Sequence, residues 1–115
     1  MGSEVKIKEN NMFLCQWELD IVFGKQKEAL NIIKAWGAEK MKSSGFNLSS
    51  GNRVYVGYAG SSAAHIVDEY VFKNLDDFEK ALSDMGKPEF KQFAEAIAPI
   101  LIPGSQKWTI YRILE

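Results

Sequence analysis

The sequence predicts an α+β fold in which one antiparallel β-sheet carries helices on one of its faces. The first observation is the alternation of apolar and polar side chains over residues 65–72, which is typical of a half-buried strand. The second is that this stretch leads almost directly into an amphipathic pattern beginning at Leu75. The third is that further strand patterns lie near both ends of a chain of 115 residues, a length that suits one domain.

Each predicted element follows from a local pattern. Residues 12–22 alternate apolar and polar side chains and form the first strand. Apolar side chains then recur at steps of three and four over residues 25–44, which predicts a helix whose other side is filled by lysines. Gly45 is expected to end this helix, because glycine reaches the left-handed conformation without steric cost.

The second half of the chain repeats the sequence of strand and helix signals. Asn74 is expected to cap the second helix through its side chain, and Pro88, which is tolerated at a helix start, opens a further helical segment. The predicted elements are a strand at 53–59, a strand at 65–72, a helix at 75–85, a helical segment at 88–97 and a last strand at 107–114.

The order β-α-β-β-α-β is the ferredoxin-like arrangement, a four-stranded antiparallel sheet with both helical layers on the same face. One sheet face is then bare, yet the third strand carries apolar side chains on both sides, with Tyr70 on one and Val67 and Val71 on the other. Because a large exposed apolar surface is a liability, we expect a homodimer in which two open faces pack together. Residues 12–115 form this domain, and residues 1–11 are expected to be a flexible N-terminal segment.

Composition and charge exclude several classes of protein. The hydrophobic share of 46% and the charged share of 25% are those of an ordinary globular protein. A net charge of −1, with cations and carboxylates interleaved, argues against nucleic acid as a partner. No apolar run approaches the roughly 20 residues of a membrane span, and the N-terminus lacks the apolar region of a secretory signal, so a cytoplasmic protein without a membrane partner is expected.

Cysteine and histidine usage limits metal and redox chemistry. Cys15 is the only cysteine, which rules out an intrachain disulfide and a cysteine-rich metal site, and it is interpreted as a small core residue. His65 is the only histidine, which rules out a multi-histidine site within one chain. We therefore expect no metal and no bound cofactor.

Residues 69–78 (EYVFKNLDDF), followed by residues 88–93 (PEFKQF), resemble a region of the dimeric α/β-barrel proteins. In that region a strand ending in an aromatic residue passes through a short turn into a helix and then a second helical piece. The superfamily includes antibiotic-biosynthesis monooxygenases, EthD-like proteins, NIPSNAP-like proteins and stress-responsive barrel proteins. In element order the resemblance covers residues 13–114. It implies a homodimer whose two sheets form a barrel, with a pocket between sheet and helices in each protomer.

Asp68, Tyr70 and His65 are the candidate catalytic residues. The resemblance implies that Asp68 and Tyr70 both face the helices, since alternate residues of a strand share a face. A carboxylate in an apolar, partly dry pocket, hydrogen-bonded by a tyrosine hydroxyl, makes an acid or base that works near neutral pH. The alternative is that Asp68 reaches solvent or pairs with Arg112 or Arg53. His65 points to the opposite face, where it is either a general base or an ordinary surface residue.

Trp17, Trp36, Tyr58 and Phe93 are the candidate ligand-binding residues. In a small domain such rings usually build the core, and the alternative is an aromatic-lined pocket for a flat, hydrophobic ligand. The monooxygenases that the chain resembles act on polycyclic phenols without metal or flavin. Their haem-binding relatives supply a histidine from the second helical region, and residues 75–102 contain none.

These observations lead to one hypothesis with one alternative. The leading hypothesis is a homodimer that binds a small hydrophobic or aromatic molecule, with cofactor-independent oxygenation or proton-transfer isomerisation as the candidate reaction. The alternative is a non-catalytic stress-response or ligand-binding module of the same fold, whose interior is a solid core. The residues leave open whether the protein is an enzyme, and the two readings differ in whether Trp17, Trp36 and Tyr70 enclose a void or fill it.

Overall fold

The computed structural model describes residues 12–114. Residues 1–11, for which the sequence predicts a flexible segment, lie outside the described residues. The strands and α-helices follow one another as β1 (Phe13–Asp20), α1 (Gln26–Ser43), β2 (Asn52–Val56), β3 (His65–Phe72), α2 (Leu75–Asp84), α3 (Lys91–Ile97) and β4 (Lys107–Arg112). Short 3-10 helices lie at Gly45–Leu48, Pro88–Phe90 and Ala98–Ile100.

The strands form one four-stranded sheet in the order β2-β3-β1-β4, and every neighbouring pair is antiparallel. This confirms the predicted α+β, ferredoxin-like arrangement. The register places Trp17 of β1 opposite both Asp68 of β3 and Trp108 of β4, so these three side chains share the sheet face that the helices cover.

Two apolar clusters lie between the sheet and the helices. The first joins Trp17 to α1 and α3, and the second joins Tyr70 and Phe46 to α2. Cys15 belongs to the second cluster, and burial raises the pKa of its thiol to about 11, so the thiol stays protonated at neutral pH. Cys15 is therefore a core residue.

The end of α1 differs from the prediction. Gly45 does not adopt a left-handed conformation, and the preceding Ser44 leaves the helix in an extended conformation. The backbone N–H of Gly45 donates to Asp84 at 2.7 Å, and a Cβ at this position would lie 3.1 Å from the backbone of Ala81. The glycine is therefore needed for the close approach of α2, and the expected role as a left-handed cap was wrong.

The second sheet face has no helix over it among residues 12–114. Leu14, Val67 and Val71 are half-buried there. Polar side chains on the same face bond to one another, and the Glu69 carboxylate accepts hydrogen bonds from Gln16 at 3.0 Å and from the Tyr55 hydroxyl at 2.9 Å. We call this surface the open face.

None of the helices between residues 12 and 114 combines the length and the apolar character that crossing a membrane requires.

Candidate functional site

Asp68 is the centre of a buried polar cluster on the helix-covered face of β3. Its side chain is fully buried and accepts from three groups. The Tyr70 hydroxyl lies 2.9 Å from Oδ2, the Asn52 amide nitrogen lies 2.6 Å from Oδ1, and the Lys40 ammonium lies 3.3 Å from Oδ2. We call Asp68, Tyr70, Asn52 and Lys40 the Asp68 cluster.

The arginine and solvent alternatives for Asp68 are wrong. Arg53 follows Asn52 on β2 and pairs in register with Glu69, so its side chain starts from the open face. Arg112 pairs with Phe13, four positions along β1 from the partner of Asp68, or roughly 13 Å at the usual rise of a strand. Neither guanidinium takes the place that Lys40 holds.

The position of Lys40 differs from the prediction. It was expected among the lysines on the outer side of α1, but it is only 2% exposed. Ile33 and Trp36 precede it at steps that place all three on one helix face, and both are buried. The helical spacing was therefore a usable signal. Lysine is usually a surface residue, and for this reason Lys40 is expected on the exposed side of the helix despite its spacing.

Four aromatic rings surround the Lys40 ammonium. Its nitrogen lies 4.6 Å from the ring centre of Trp36, 5.1 Å from that of Trp17, 5.2 Å from that of Phe46 and 5.4 Å from that of Tyr70. At such distances the negative faces of aromatic rings attract a cation. The space between Trp17, Trp36 and Tyr70 thus holds a charged side chain.

Burial sets the protonation behaviour of this cluster. It lowers the pKa of the Lys40 ammonium, although the neighbouring Asp68 carboxylate opposes that change. It also raises the pKa of the Tyr70 hydroxyl, and the negative charge of Asp68 acts in the same direction. Tyr70 therefore remains a neutral hydrogen-bond donor, and Lys40 is the group of the cluster whose proton burial makes easier to lose.

Asn52 connects the cluster to the outside. It lies at the start of the edge strand β2, and its amide also donates to the backbone oxygen of Glu69 at 3.3 Å. It forms part of the wall of a cleft of about 320 Å³ that Ser50, Arg53 and Val71 also line. In the sequence Asn52 belonged to a turn, and no local pattern indicated that its amide contacts Asp68.

Gly37 of α1 gives the Asn52 side chain its room. A Cβ at Gly37 would lie 2.8 Å from Oδ1 of Asn52, closer than a Cβ atom comes to a neighbouring heavy atom in proteins. Glycine in a helix interior costs stability relative to alanine, so its presence here needs a reason of this kind.

Three of the four predicted ligand-binding rings come together beside Lys40. The Trp17 ring meets the Trp36 ring edge-on at 5.3 Å, and Phe93 of α3 stacks on Trp36 at 6.0 Å. The indole nitrogen of Trp36 is buried and has no hydrogen-bond partner among residues 12–114. Tyr58 lies elsewhere, because β2 ends at Val56 and the Tyr58 side chain is 99% exposed in the connection to β3.

His65 lies on the opposite side of the sheet from Asp68. Its Nδ1 is 2.8 Å from Asp20 and its Nε2 is 3.2 Å from Glu18, which also accepts from Thr109 at 2.6 Å. The hydrogen bond to Asp20, more than any other influence, raises the pKa of His65. The bond from Thr109 does most to lower the pKa of Glu18. The structure therefore brings Asp68 and Tyr70 together but keeps His65 apart from them.

Within residues 12–114, no group of three or more histidine, cysteine, aspartate or glutamate side chains is arranged to hold a metal ion.

Comparison with known proteins identifies the fold. No protein-family model and no curated protein matches this sequence. Among solved structures, a NIPSNAP family protein of unknown function from Agrobacterium tumefaciens is 20% identical, with a TM-score of 0.73 over 93% of this chain and 92% of that one. SnoaB, a cofactor-independent oxygenase from Streptomyces nogalater, is 14% identical, with a TM-score of 0.67 over 91% and 95%.

A third solved structure is described as a dimeric protein of unknown function with a ferredoxin-like fold, from Bacteroides fragilis. It is 14% identical, with a TM-score of 0.66 over 90% of this chain and 97% of that one. These similarities confirm the ferredoxin-like fold that the resemblance over residues 69–78 and 88–93 implied.

Proposed function

We propose that this protein is a homodimer in which each protomer binds a small hydrophobic or aromatic molecule beside the Asp68 cluster. The reaction is a cofactor-independent proton transfer on that molecule, as in an oxygenase or an isomerase. The observation that carries the proposal is the buried Asp68 carboxylate, held by Tyr70, Asn52 and Lys40 within an aromatic shell. The similarity to SnoaB, described as a cofactor-independent oxygenase, supports the same class of reaction.

A role in stability alone does not explain this cluster. Removing an ammonium and a carboxylate from water costs free energy that their mutual attraction often fails to recover, and apolar replacements of such pairs are frequently neutral or stabilising. Lys40 and Asp68 are both almost completely buried. Interior groups with perturbed pKa values are concentrated at functional sites, which favours a chemical role for Lys40, whose pKa is lowered by burial.

The cluster has the parts that a proton transfer needs. Asp68 exchanges the proton, while Tyr70 remains protonated and fixes the orientation of the carboxylate by its hydrogen bond. The Lys40 ammonium stabilises negative charge that develops on the bound molecule, and the surrounding rings keep water out. Because the ammonium now fills the space between the rings, binding requires Lys40 or Phe93 to move.

The filled space also favours the alternative, a non-catalytic module with a solid interior. The two functions differ in a measurable way, since a solid interior admits no ligand, and a binding module admits one without transferring its protons.

The ligand site is tested by a panel of aromatic phenols and ketones, with quenching of tryptophan fluorescence as the readout. Trp17 and Trp36 lie in the shell, so binding there is expected to quench their emission. Tyr70→Phe removes the hydrogen bond that orients Asp68 and should weaken binding about three- to tenfold, since a hydrogen bond contributes a net of about 0.5–1.5 kcal/mol. Tyr58→Phe, at the fully exposed tyrosine, is the matched control and should bind like the wild type.

Two further readouts separate the functions. Exchange of deuterium from D₂O into a bound compound, or consumption of oxygen in its presence, is expected for the enzyme and absent for a binding module. If no compound of the panel quenches the fluorescence, the proposed site does not exist.

The homodimer is proposed to form through the open face. Leu14, Val67 and Val71 supply apolar surface there, and Glu69 already has two partners in its own chain. Burying this face in a dimer therefore leaves that carboxylate hydrogen-bonded, which avoids the penalty for a buried unpaired acceptor.

Val67→Asp tests this interface, because Val67 lies in the middle of the open face, beside Glu18 and Tyr55 in register. Size-exclusion chromatography with light scattering should give the wild type twice the protomer mass of 13.0 kDa and give the variant the protomer mass. Leu48→Asp is the control at a side chain that is 50% exposed on the helical side, and it should remain a dimer. A monomeric wild type, or a dimeric Val67→Asp variant, would rule out the interface.

A further inference from the structure

Lys40 provides a nucleophile that the proposed proton transfer does not use, because in that reaction it acts only through its positive charge. It is a primary amine that is 2% exposed, with a carboxylate 3.3 Å away. Primary amines held in apolar surroundings are the lysines that form covalent imines with carbonyl compounds. The outer lysines of the same helix, such as Lys27 and Lys34, are exposed and lack such surroundings.

We infer that Lys40 captures an aldehyde or ketone as an imine, which makes carbonyl compounds the substrate class of this site. The inference rests on the proposed function, because a small molecule must first reach the Asp68 cluster. It adds a covalent step at Lys40 and specifies the functional group of the molecule.

The placement of Lys40 against Asp68 supplies the neutral amine. Asp68 Oδ2 lies 3.3 Å from the Lys40 nitrogen, so the carboxylate is placed to take the proton that the ammonium gives up. Burial lowers the pKa of Lys40 in the direction that this step needs. Tyr70 does not compete for the proton, since its hydroxyl stays protonated.

The step balances with the groups in the cluster. The nitrogen lone pair of Lys40 attacks the carbonyl carbon, the C–O π bond breaks, and the oxygen takes the proton held by Asp68. The nitrogen then gives one proton to Asp68, and the hydroxyl takes up that proton and leaves as water while the C–O bond breaks and a C=N bond forms. The protonated imine that results returns its remaining N–H proton to Asp68. One carbonyl and one amine give one imine and one water, with no change in oxidation state.

Two groups beside Lys40 suit a carbonyl compound. The buried indole N–H of Trp36 has no partner among residues 12–114 and can donate to the carbonyl oxygen, and its ring centre lies 4.6 Å from the Lys40 nitrogen. The rings of Trp17 and Phe46 lie at similar distances and provide apolar contact for the rest of the molecule. The site therefore fits a carbonyl group attached to a flat apolar body.

Reductive trapping with benzaldehyde and sodium cyanoborohydride at about pH 7 tests the inference, with peptide mapping to locate the benzylated lysines. Lys40 should be modified at least about tenfold faster than the exposed Lys27 and Lys34, because burial lowers the pKa of Lys40 and so increases its share of neutral, nucleophilic amine. Lys40→Arg keeps the positive charge but cannot form the adduct, and its helical circular dichroism should match the wild type. In that variant the Lys40 adduct disappears while Lys27 and Lys34 react as before.

Benzyl alcohol, which lacks the carbonyl, separates this inference from the proposed function. If both compounds quench tryptophan fluorescence but only Lys27 and Lys34 become benzylated, the imine is wrong and the binding site stands. If neither compound quenches the fluorescence and Lys40 stays unmodified, the inference and the proposed site are both wrong.

Discussion

The pairing of Lys40 with Asp68 makes a strong prediction about stability. Asp68→Asn preserves the shape of the side chain but removes its charge, leaving a nearly fully buried ammonium without a counter-ion. Breaking a buried ion pair in this way costs about 3–5 kcal/mol of unfolding free energy. Lys40→Met should lower the unfolding free energy by about 3 kcal/mol, the lower end of this range, because Asp68 keeps its hydrogen bonds from Tyr70 and Asn52.

The double variant should be far less damaging than the sum of the two. With both charges gone, the methionine side chain at position 40 packs among the same aromatic rings. The side-chain amide at position 68 still has Asn52 and Tyr70 as hydrogen-bond partners. We expect the double variant to cost about 1–2 kcal/mol, since uncharged replacements of buried pairs are often nearly neutral. The coupling energy is then at least about 4 kcal/mol, which is large for one pair of side chains.

Urea unfolding at a fixed protein concentration measures all three variants, and the concentration matters because a dimer gains stability by mass action. The control is Glu28→Gln, which breaks a pair at 3.7 Å whose side chains are both 55% exposed. That variant should change the unfolding free energy by less than about 0.5 kcal/mol. Single variants at Lys40 and Asp68 that each cost under about 1 kcal/mol, or costs that add in the double variant, would refute the reasoning.

Two further predictions concern the open face and α1. His65 has a raised pKa, so its bonds to Asp20 and Glu18 stabilise the fold below its unfolded pKa of about 6.5, and this stabilisation is lost as the pH rises through the raised value. His65→Gln should therefore lower the free energy of unfolding in urea more at about pH 6 than at about pH 9, by about 1 kcal/mol or less, and equal effects at the two pH values would contradict this. Gly37→Ala should displace the Asn52 amide from the Asp68 carboxylate. Asn52→Ala should therefore lower the free energy of unfolding less in the Gly37→Ala background than in the wild type. Equal costs of Asn52→Ala in both backgrounds would show that Gly37 does not position the amide.

The fold could be predicted because its signals are local. The two-residue period of β3 and the helix that follows it are both present, and the Asn74 side chain accepts from the backbone N–H of Asp77 at 2.8 Å as expected. Gly45 was predicted wrongly because its role depends on the approach of α2, about 40 residues away along the chain, and not on its own backbone preference.

The site could be predicted only in part, because some of its contacts join residues that are far apart in the sequence. The strand period places Asp68 and Tyr70 on one face, and their contact follows from two positions of one strand. Lys40 and Asn52 reach Asp68 from 28 and 16 residues away, and no local pattern carries that information. Tyr58 looked like part of a strand and is exposed beyond its end. The catalytic and binding roles of these residues stay predictions.

Titration of the lysine amines by nuclear magnetic resonance tests the buried Lys40–Asp68 pair most directly. With lysine labelled at the side-chain nitrogen, the Lys40 signal is assigned as the one missing from Lys40→Arg. Burial should make this amine titrate at lower pH than the exposed lysines of the same helix and exchange its hydrogens more slowly with water. A Lys40 signal that titrates at the ordinary value for lysine would contradict the burial of this amine beside Asp68 and, with it, the proposed chemistry of the site.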